Sequence, residues 1–154
     1  MKYEFILDEN IIVFATKMCN AEGEEDYTST YLILNIAENC HRIIYNNELY
    51  MRYTNKVDEI PQGSMSFKAI RVISHMLKDQ RKSRDVKYVP ELDLKELSID
   101  DRSLVKMAVH TNAILISSDR KLRDKIVNLG LNRLYNLRVV DPREALQYAR
   151  HSNP

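Results

Sequence analysis

Short apolar runs alternate with amphipathic segments along most of the chain. The runs have the length and the β-branched, leucine or tyrosine content of buried strands, and they cover residues 3–7, 41–45, 86–89, 113–117 and 137–140. Apolar residues between them recur at spacings of three and four, which predicts helices. These predicted helices cover residues 10–18, 29–40, 48–57, a long segment from Met65, 98–109, 119–129 and a last segment from Pro142.

Breaks between the predicted elements are marked by turn and capping residues. Residues 20–26 are polar and predict a loop, and Pro61, Gln62 and Gly63 end the third helix. Other boundaries carry capping signals, namely Ser98 with Asp101 as a capping box, Gly130 as a C-cap, and Asp141 before Pro142 at the last helix.

Strands that alternate with helices predict a parallel sheet, because parallel strands need long crossover connections and helices in those crossovers cover the sheet. We therefore expect an α/β fold, a three-layer α/β/α sandwich with a central, mostly parallel sheet. A length of 154 residues fits one domain. We predict that this domain spans residues 1–150 and that residues 151–154 form a tail.

Charge and cysteine content argue against several classes of protein. A net charge of +1 lacks the basic excess that is typical of nucleic-acid-binding domains, so RNA binding would depend on local patches. Cys19 and Cys40 lack zinc-ligand spacing. Because the chain has neither a signal-peptide pattern nor an apolar run of membrane-spanning length, we expect a cytoplasmic protein without a membrane partner.

Acidic residues follow the ends of several predicted strands. Asp8 and Asp119 each follow a strand directly, Glu48 lies just beyond another, and Asp101 lies in the first turn of a helix. In open α/β sheets, the carboxyl ends of the strands form a binding crevice where the strand order switches. Carboxylates that converge there repel one another unless a cation or a proton intervenes. Because Mg²⁺ and Mn²⁺ prefer oxygen ligands, the pattern predicts a divalent metal site.

Each of these acids also has a structural interpretation. Asp8 and Asp119 stand where an N-cap is favoured, and Asp101 fits the capping box of Ser98. A glutamate near the start of a helix, such as Glu48, is common because it complements the helix dipole. The metal-site prediction therefore depends on the joint placement of the four acids and not on any one of them.

Four short motifs resemble those of the PIN-domain nucleases. Residues 6–12 look like the opening of that family, an aliphatic strand that ends in Asp-x-Asn before an aliphatic helix. Residues 47–49 are similar to its second acidic motif. Residues 101–108 followed by 113–119 resemble its third and fourth motifs in order and spacing. The resemblance extends from Phe5 to about Val140.

The resemblance implies a metal-dependent endoribonuclease that hydrolyses RNA phosphodiester bonds. It would be the toxin of a toxin–antitoxin pair, with a protein antitoxin as partner, or an RNA-maturation nuclease, and the family also implies a homodimer. Two Mg²⁺ or Mn²⁺ ions would activate water for attack on the phosphodiester. The implied metal ligands and catalytic residues are Asp8, Glu48, Asp101 and Asp119, with Asp100 in reserve for the third acid.

Polar and basic residues near these acids are the remaining candidates. Asn10 and Ser117 match polar positions of the family motifs and would fix the carboxylates. Arg120, Lys121 and Arg123 follow the fourth motif and would bind RNA phosphates. They stand where many family members carry a further acid, which predicts a weak second metal site.

Two other functions fit the same pattern. One is a catalytically inactive module of the same fold that binds RNA or protein, with a vestigial metal site. The other is a different acidic-pocket α/β protein, such as a response-regulator receiver or a phosphatase with an Asp-x-Asp nucleophile. Residues 8–10 read Asp-Glu-Asn and offer no Asp-x-Asp, which disfavours this last alternative.

Overall fold

Strands and helices alternate along the chain, as the hydrophobic pattern predicts. The protein is described here by a computed structural model over residues 2–61 and 69–151. The strands are β1 (Glu4–Leu7), β2 (Arg42–Tyr45), β3 (Ser83–Asp85), β4 (Ile114–Ile116) and β5 (Arg138–Val140). The helices are α1 (Glu9–Lys17), α2 (Thr28–Glu38), α3 (Asn47–Asp58), α4 (Ala69–Leu77), α5 (Ile99–Thr111), α6 (Arg120–Asn128), α7 (Leu131–Leu134) and α8 (Pro142–Arg150).

The strands of the described residues form one parallel sheet in the order β3-β2-β1-β4-β5. The chain runs outward from β1 through β2 to β3, and it then returns to place β4 on the other side of β1. Helices of the crossover connections flank the sheet, which confirms the three-layer α/β/α prediction. The direction of winding reverses between β1 and β4, and the carboxyl ends of strands at such a switch point are where open α/β sheets form their binding crevice.

The centre of the sheet is buried on both faces. Phe5, Ile6 and Leu7 of β1 have no exposed surface, and the same is true of the residues of β4. This burial explains why the two strands read as continuous apolar runs in the sequence, since each face of the sheet is covered by helices. The residues after these strands are therefore anchored to the most rigid part of the core.

The third strand was predicted at residues 86–89, and this prediction is wrong. The strand is Ser83–Asp85, which pairs with β2 at the edge of the sheet. Ser83 is buried, whereas Arg84 and Asp85 are exposed. An edge strand can be short and charged, so hydrophobic periodicity does not reveal it. Val86 still donates its N–H to the Tyr45 carbonyl at 2.8 Å, and the chain then leaves the sheet.

Most predicted helix boundaries are confirmed by their caps. Ser98 accepts a hydrogen bond from the N–H of Asp101 at 3.2 Å, and Asp141 accepts one from the N–H of Glu144 at 2.8 Å. Gly130 has a left-handed backbone with φ of 70°, as expected after α6. The short helix α7 follows it directly and was not predicted.

The predicted helix start at Met65 and the turn residues Gln62 and Gly63 lie outside the described residues. Within residues 2–61 and 69–151, no helix combines the length and the apolar character that crossing a bilayer requires.

Candidate active site

Asp8 lies at the end of β1, beside the switch point. Its backbone is extended, its N–H donates to the Ile116 carbonyl of β4 at 3.0 Å, and it is the N-cap residue of α1. Its side chain does not cap the helix. Instead, the Ser117 hydroxyl donates to Asp8 Oδ2 at 2.9 Å, and Asp8 is only 7% exposed. The carboxyl group is therefore held against the end of β4.

Ser117 connects the two sides of the crevice. It is fully buried, and its N–H donates to the Val140 carbonyl of β5 at 3.0 Å. Its hydroxyl accepts from the N–H of Asp119 at 3.1 Å while it donates to Asp8. The Arg123 guanidinium donates to the Ser117 carbonyl at 2.7 Å. Ser117 thus has the position that a residue fixing the Asp8 carboxyl requires.

Asp101 lies at the start of α5 and faces other carboxylates. Burial raises its pKa, and the charges of Asp119, Glu9 and Asp100 raise it further, while a hydrogen bond with Ser98 lowers it. The charge of Asp119 at the start of α6 therefore acts on the Asp101 carboxyl at the start of α5. The Asp119 side chain is exposed, and it also caps α6.

Asp8 and Glu9 form a coupled pair of acids. Burial is the largest cause that raises the pKa of Asp8 to about 8, followed by a hydrogen bond to Glu9 and by the Glu9 charge, with a smaller contribution from Asp101. Burial alone would raise the pKa of Glu9, but the hydrogen bond from Asp8 and the Arg52 charge lower it. Burial and Glu9 thus favour the protonated form of Asp8, whereas Asp8 and Arg52 favour the charged form of Glu9.

Glu9 is a site residue that sequence reasoning missed. It is the first residue of α1, its side chain is 16% exposed, and its Oε2 atom is buried without a hydrogen-bond partner. A buried carboxylate oxygen without a donor is costly unless another positive charge compensates it. In the sequence, the signal for Glu9 was its position directly after Asp8. A residue next to an acid at a strand end lies close to the same edge of the sheet.

Arg52 of α3 binds a separate set of acids. Its Nη2 atom lies 2.6 Å from Glu48 Oε1 and 3.2 Å from Asp100 Oδ1, and its Nη1 atom lies 4.0 Å from Glu9 Oε2. Nη1 also donates to the Asp100 carbonyl at 3.4 Å. We call Arg52, Glu9, Glu48 and Asp100 the Arg52 cluster. The sequence signal for it was the Glu48–Arg52 spacing of four in a helix.

The predicted acids thus fall into two groups. Glu48 and the reserve residue Asp100 belong to the Arg52 cluster. Asp8, Asp101 and Asp119 form no ion pair with a basic side chain in the part of the chain that the structure describes. We call these three the unpaired acids. The structure ties Glu48 to a guanidinium and gives the unpaired acids no such partner among the described residues.

The other candidates differ in their surroundings. Arg120 is 85% exposed and forms an ion pair with Asp124 at 3.7 Å, and Lys121 is also exposed. Arg123 is half-buried, and its guanidinium donates a hydrogen bond to the Ser117 carbonyl. Asn10 is exposed on α1. Arg120 and Lys121 are therefore open to a polyanion beside Asp119, whereas Arg123 has a structural contact.

The donor chemistry of the unpaired acids suits a divalent cation, but the predicted metal site is not preassembled. Carboxylate oxygens are hard ligands, and their mutual repulsion is the condition that a cation relieves. Among residues 2–61 and 69–151, however, no three His, Cys, Asp or Glu side chains are gathered in an arrangement that could hold a metal ion. Cation binding would require these side chains to move together.

Comparison with known proteins does not identify a family. No family model matches the chain, and no curated protein matches it significantly. The resemblance to PIN-domain nucleases therefore stays a prediction that depends on the four motifs.

Proposed function

We propose that the chain is a metal-dependent endoribonuclease that hydrolyses RNA phosphodiester bonds with Mg²⁺ or Mn²⁺. The observation that carries this proposal is the group of unpaired acids at the switch point between β1 and β4. Acids near the carboxyl ends of central strands that have no basic partner are favoured when a cation or a proton compensates them. The order of the four motifs supports the same function.

Asp8, Asp101 and Asp119 would hold the metal. A bound divalent ion would supply a water of lowered pKa and neutralise charge on the phosphate. The chain's own residues prepare the site, because Ser117 fixes the Asp8 carboxyl and the Asp119 backbone together. Asp8 would have to release its proton, so cation binding is expected to be weaker at acid pH.

RNA would reach the unpaired acids along the N-terminal end of α6. Arg120 and Lys121 are exposed there, directly after Asp119. Their charges would bind backbone phosphates without reading sequence. The motif resemblance further supports a cytoplasmic homodimer, and a protein antitoxin as partner if the chain is a toxin.

Cleavage of a panel of fluorescent single-stranded RNAs tests this function. The wild type should cut RNA with Mg²⁺ or Mn²⁺ and not with EDTA, whereas folded Asp8→Asn and Asp119→Asn variants should not cut. Asp93→Asn is the matched control, because Asp93 is an exposed acid that is not one of the predicted site residues. Cutting by Asp8→Asn at the wild-type rate would contradict the proposal.

The second candidate is a catalytically inactive module of the same fold that binds RNA or protein. It is favoured by the contact of Glu48 with Arg52, which removes one of the four predicted acids from any metal site. Such a module would bind RNA or a protein with equal affinity in EDTA and in Mn²⁺, and Asp8→Asn would leave that binding unchanged.

A further inference from the structure

A cavity of about 240 Å³ lies next to the segment that carries Ser117 and Asp119. Its walls come from α1, the loop that follows α1, and the starts of α2 and α8. Ser118, the residue between Ser117 and Asp119, forms part of the wall, and so does Arg123 of α6. We call this space the Ser29 cavity, because Ser29 in the first turn of α2 also lines it. A ligand in this cavity would therefore lie beside the segment that leads to Asp119.

Ser29 is a buried residue whose hydroxyl has no hydrogen-bond partner. It is only 5% exposed. The other buried polar side chains within residues 2–61 and 69–151 all form hydrogen bonds, for example Thr30, whose hydroxyl donates to the Ala15 carbonyl at 2.8 Å. The Ser29 side chain forms none with any residue that the structure describes. Because buried polar groups are almost always paired, the partner of this hydroxyl is expected to come from the cavity.

The charges around the cavity disfavour a phosphate group as that partner. Three carboxylates and two guanidinium groups line the cavity, namely those of Glu22, Asp26, Asp141, Arg123 and Arg143. Arg123 already donates to the Ser117 carbonyl at 2.7 Å. Hydrogen bonds from Thr28 lower the pKa of Asp26, and the Arg143 charge lowers it further, so this carboxylate stays charged. A phosphate would therefore meet an excess of negative charge, even though helix N-termini attract anions in other proteins.

An uncharged ring with hydrogen-bond donors on its edge fits the cavity better. Phe14 and Pro142 supply apolar wall surface, and the hydroxyl groups of Ser29 and Ser118 can each donate or accept. The volume is below the about 300–1,000 Å³ of sites for drug-sized ligands, which suits a ligand as small as one nucleobase. Unpaired bases combine an apolar face with a polar edge. Carboxylates accept from exocyclic amino groups, which adenine, cytosine and guanine carry and uracil lacks.

We propose that the Ser29 cavity binds one unpaired nucleobase with an exocyclic amino group, from the RNA strand that the chain would cleave. This inference rests on the proposed function. The Ser29 hydroxyl would bond to the edge of the base, and the carboxylate of Glu22 or Asp26 would accept from its amino group. Because Ser118 directly precedes Asp119, the bound base would belong to a nucleotide close to the scissile phosphate. The cavity would thus give the cleavage a preference for adenine, cytosine or guanine over uracil.

Binding of short RNA strands without metal tests this inference. Fluorescein-labelled hexamers of uridine, cytidine and adenosine would be titrated with the full chain in EDTA, and binding would be followed by fluorescence anisotropy at one salt concentration. The three strands carry the same phosphate charge, so a difference in affinity reports the base. We expect the cytidine or the adenosine hexamer to bind about tenfold more tightly than the uridine hexamer, because uracil loses a hydrogen bond to a charged acceptor. Equal affinity for all three strands would overturn the inference.

Ser29→Ala tests the residue that carries the inference. The variant removes a hydroxyl without a partner in the described residues, so its urea denaturation should match that of the wild type. It should lower the affinity for the preferred hexamer about two- to tenfold, which is the loss of one hydrogen bond, and leave the affinity for the uridine hexamer unchanged. Ser74→Ala is the matched control, because Ser74 is a half-buried serine of α4 that does not line the cavity. Unchanged affinities in folded Ser29→Ala would mean that water pairs the hydroxyl, and they would overturn the inference.

The outcomes also separate this inference from the proposed function. RNA cleavage with Mn²⁺ by a chain that binds all three hexamers equally would support the nuclease and overturn the base site. A base preference that Ser29→Ala removes, in a chain that cuts no RNA, would support the base site and contradict the nuclease. Free cytidine and adenosine would be tested as competitors of the labelled strands and as ligands alone. Binding of a free nucleoside by a chain that binds no hexamer would overturn the assignment to RNA.

Discussion

Replacing Asp8 by asparagine is expected to stabilise the metal-free chain while it abolishes metal binding. The Asp8 carboxyl is 7% exposed and accepts a hydrogen bond from Ser117. An asparagine has the same shape and its amide oxygen still accepts that bond. The substitution therefore removes a buried ionisable group without creating a cavity or leaving the Ser117 hydroxyl unpaired.

The size of the effect follows from the pKa of Asp8. This pKa is raised from 3.8 to about 8, mainly by burial and next by Glu9. In the unfolded chain, the Asp8 carboxyl loses its proton near pH 3.8. Protonated Asp8 therefore contributes its full stabilisation below pH 3.8, and this contribution is lost as the pH rises towards 8. At about 1.4 kcal/mol for each pH unit, the loss by neutral pH is about 4 kcal/mol.

Glu9 reduces this loss of stability, because the hydrogen bond with Asp8 lowers the pKa of Glu9 in the folded chain. We therefore expect Asp8→Asn to raise the free energy of unfolding by on the order of 2 kcal/mol at neutral pH. The measurement is urea denaturation in EDTA at about pH 5, 7 and 8. Wild type should lose stability relative to Asp8→Asn as the pH rises.

Asp93→Asn serves as the control, because Asp93 is exposed and its substitution should not change the pH dependence. Adding Mn²⁺ should reverse the order, since a ligand that binds only the folded wild type stabilises it. The reasoning is refuted if Asp8→Asn is less stable than the wild type in EDTA at neutral pH. It is also refuted if the difference between them does not change with pH.

Two predictions concern buried polar groups outside the site. His41 is buried, its Nδ1 accepts from the Tyr3 N–H at 3.0 Å and its Nε2 lies 2.9 Å from the Ala149 carbonyl, so the ring is neutral. Burial lowers the pKa of His41 below its ordinary value of 6.5, although the Ala149 contact opposes this. The neutral ring therefore stabilises the fold fully above pH 6.5, and this stabilisation is lost as the pH falls through the lowered pKa. Thermal melts of His41→Gln should therefore show less acid destabilisation than wild type, and an unchanged slope would contradict this. Tyr53 donates to the Leu7 carbonyl at 2.6 Å, so Tyr53→Phe should cost about 1–3 kcal/mol in urea denaturation, and a neutral effect would mean that water replaces the hydroxyl.

The parallel sheet could be predicted because its central strands are covered on both faces. Burial on both faces requires apolar residues at every position, and β1 and β4 show this pattern directly. The edge strand β3 carries Ser83, Arg84 and Asp85, so nothing in its composition distinguishes it from a loop. Its strand conformation comes from pairing with β2, which is a long-range contact and not a property of the local sequence.

The same distinction applies to the site. Asp8 and Asp119 could be located because a residue that follows a central strand has its position fixed by the sheet. Glu48 follows β2, one strand farther from the switch point, and its surroundings depend on Arg52. The contact between Arg52 and Asp100 joins residues 48 positions apart, and no local pattern predicts it.

The two groups of acids therefore differ in what their energetics imply. In the Arg52 cluster, a guanidinium already lies beside Glu9, Glu48 and Asp100 and offsets part of their charge. Burial and then Glu9 raise the pKa of Asp8, and burial and then the Asp119 charge raise the pKa of Asp101. We therefore expect Asp8 to make the metal-free fold less stable at neutral pH than an uncharged residue would. A cost of this kind is recovered when a cation binds, because the ion would replace the proton on Asp8 and the repulsion among all three carboxylates would become attraction to a shared charge. The expected instability of the metal-free fold and the proposed affinity for a divalent ion would thus have the same cause.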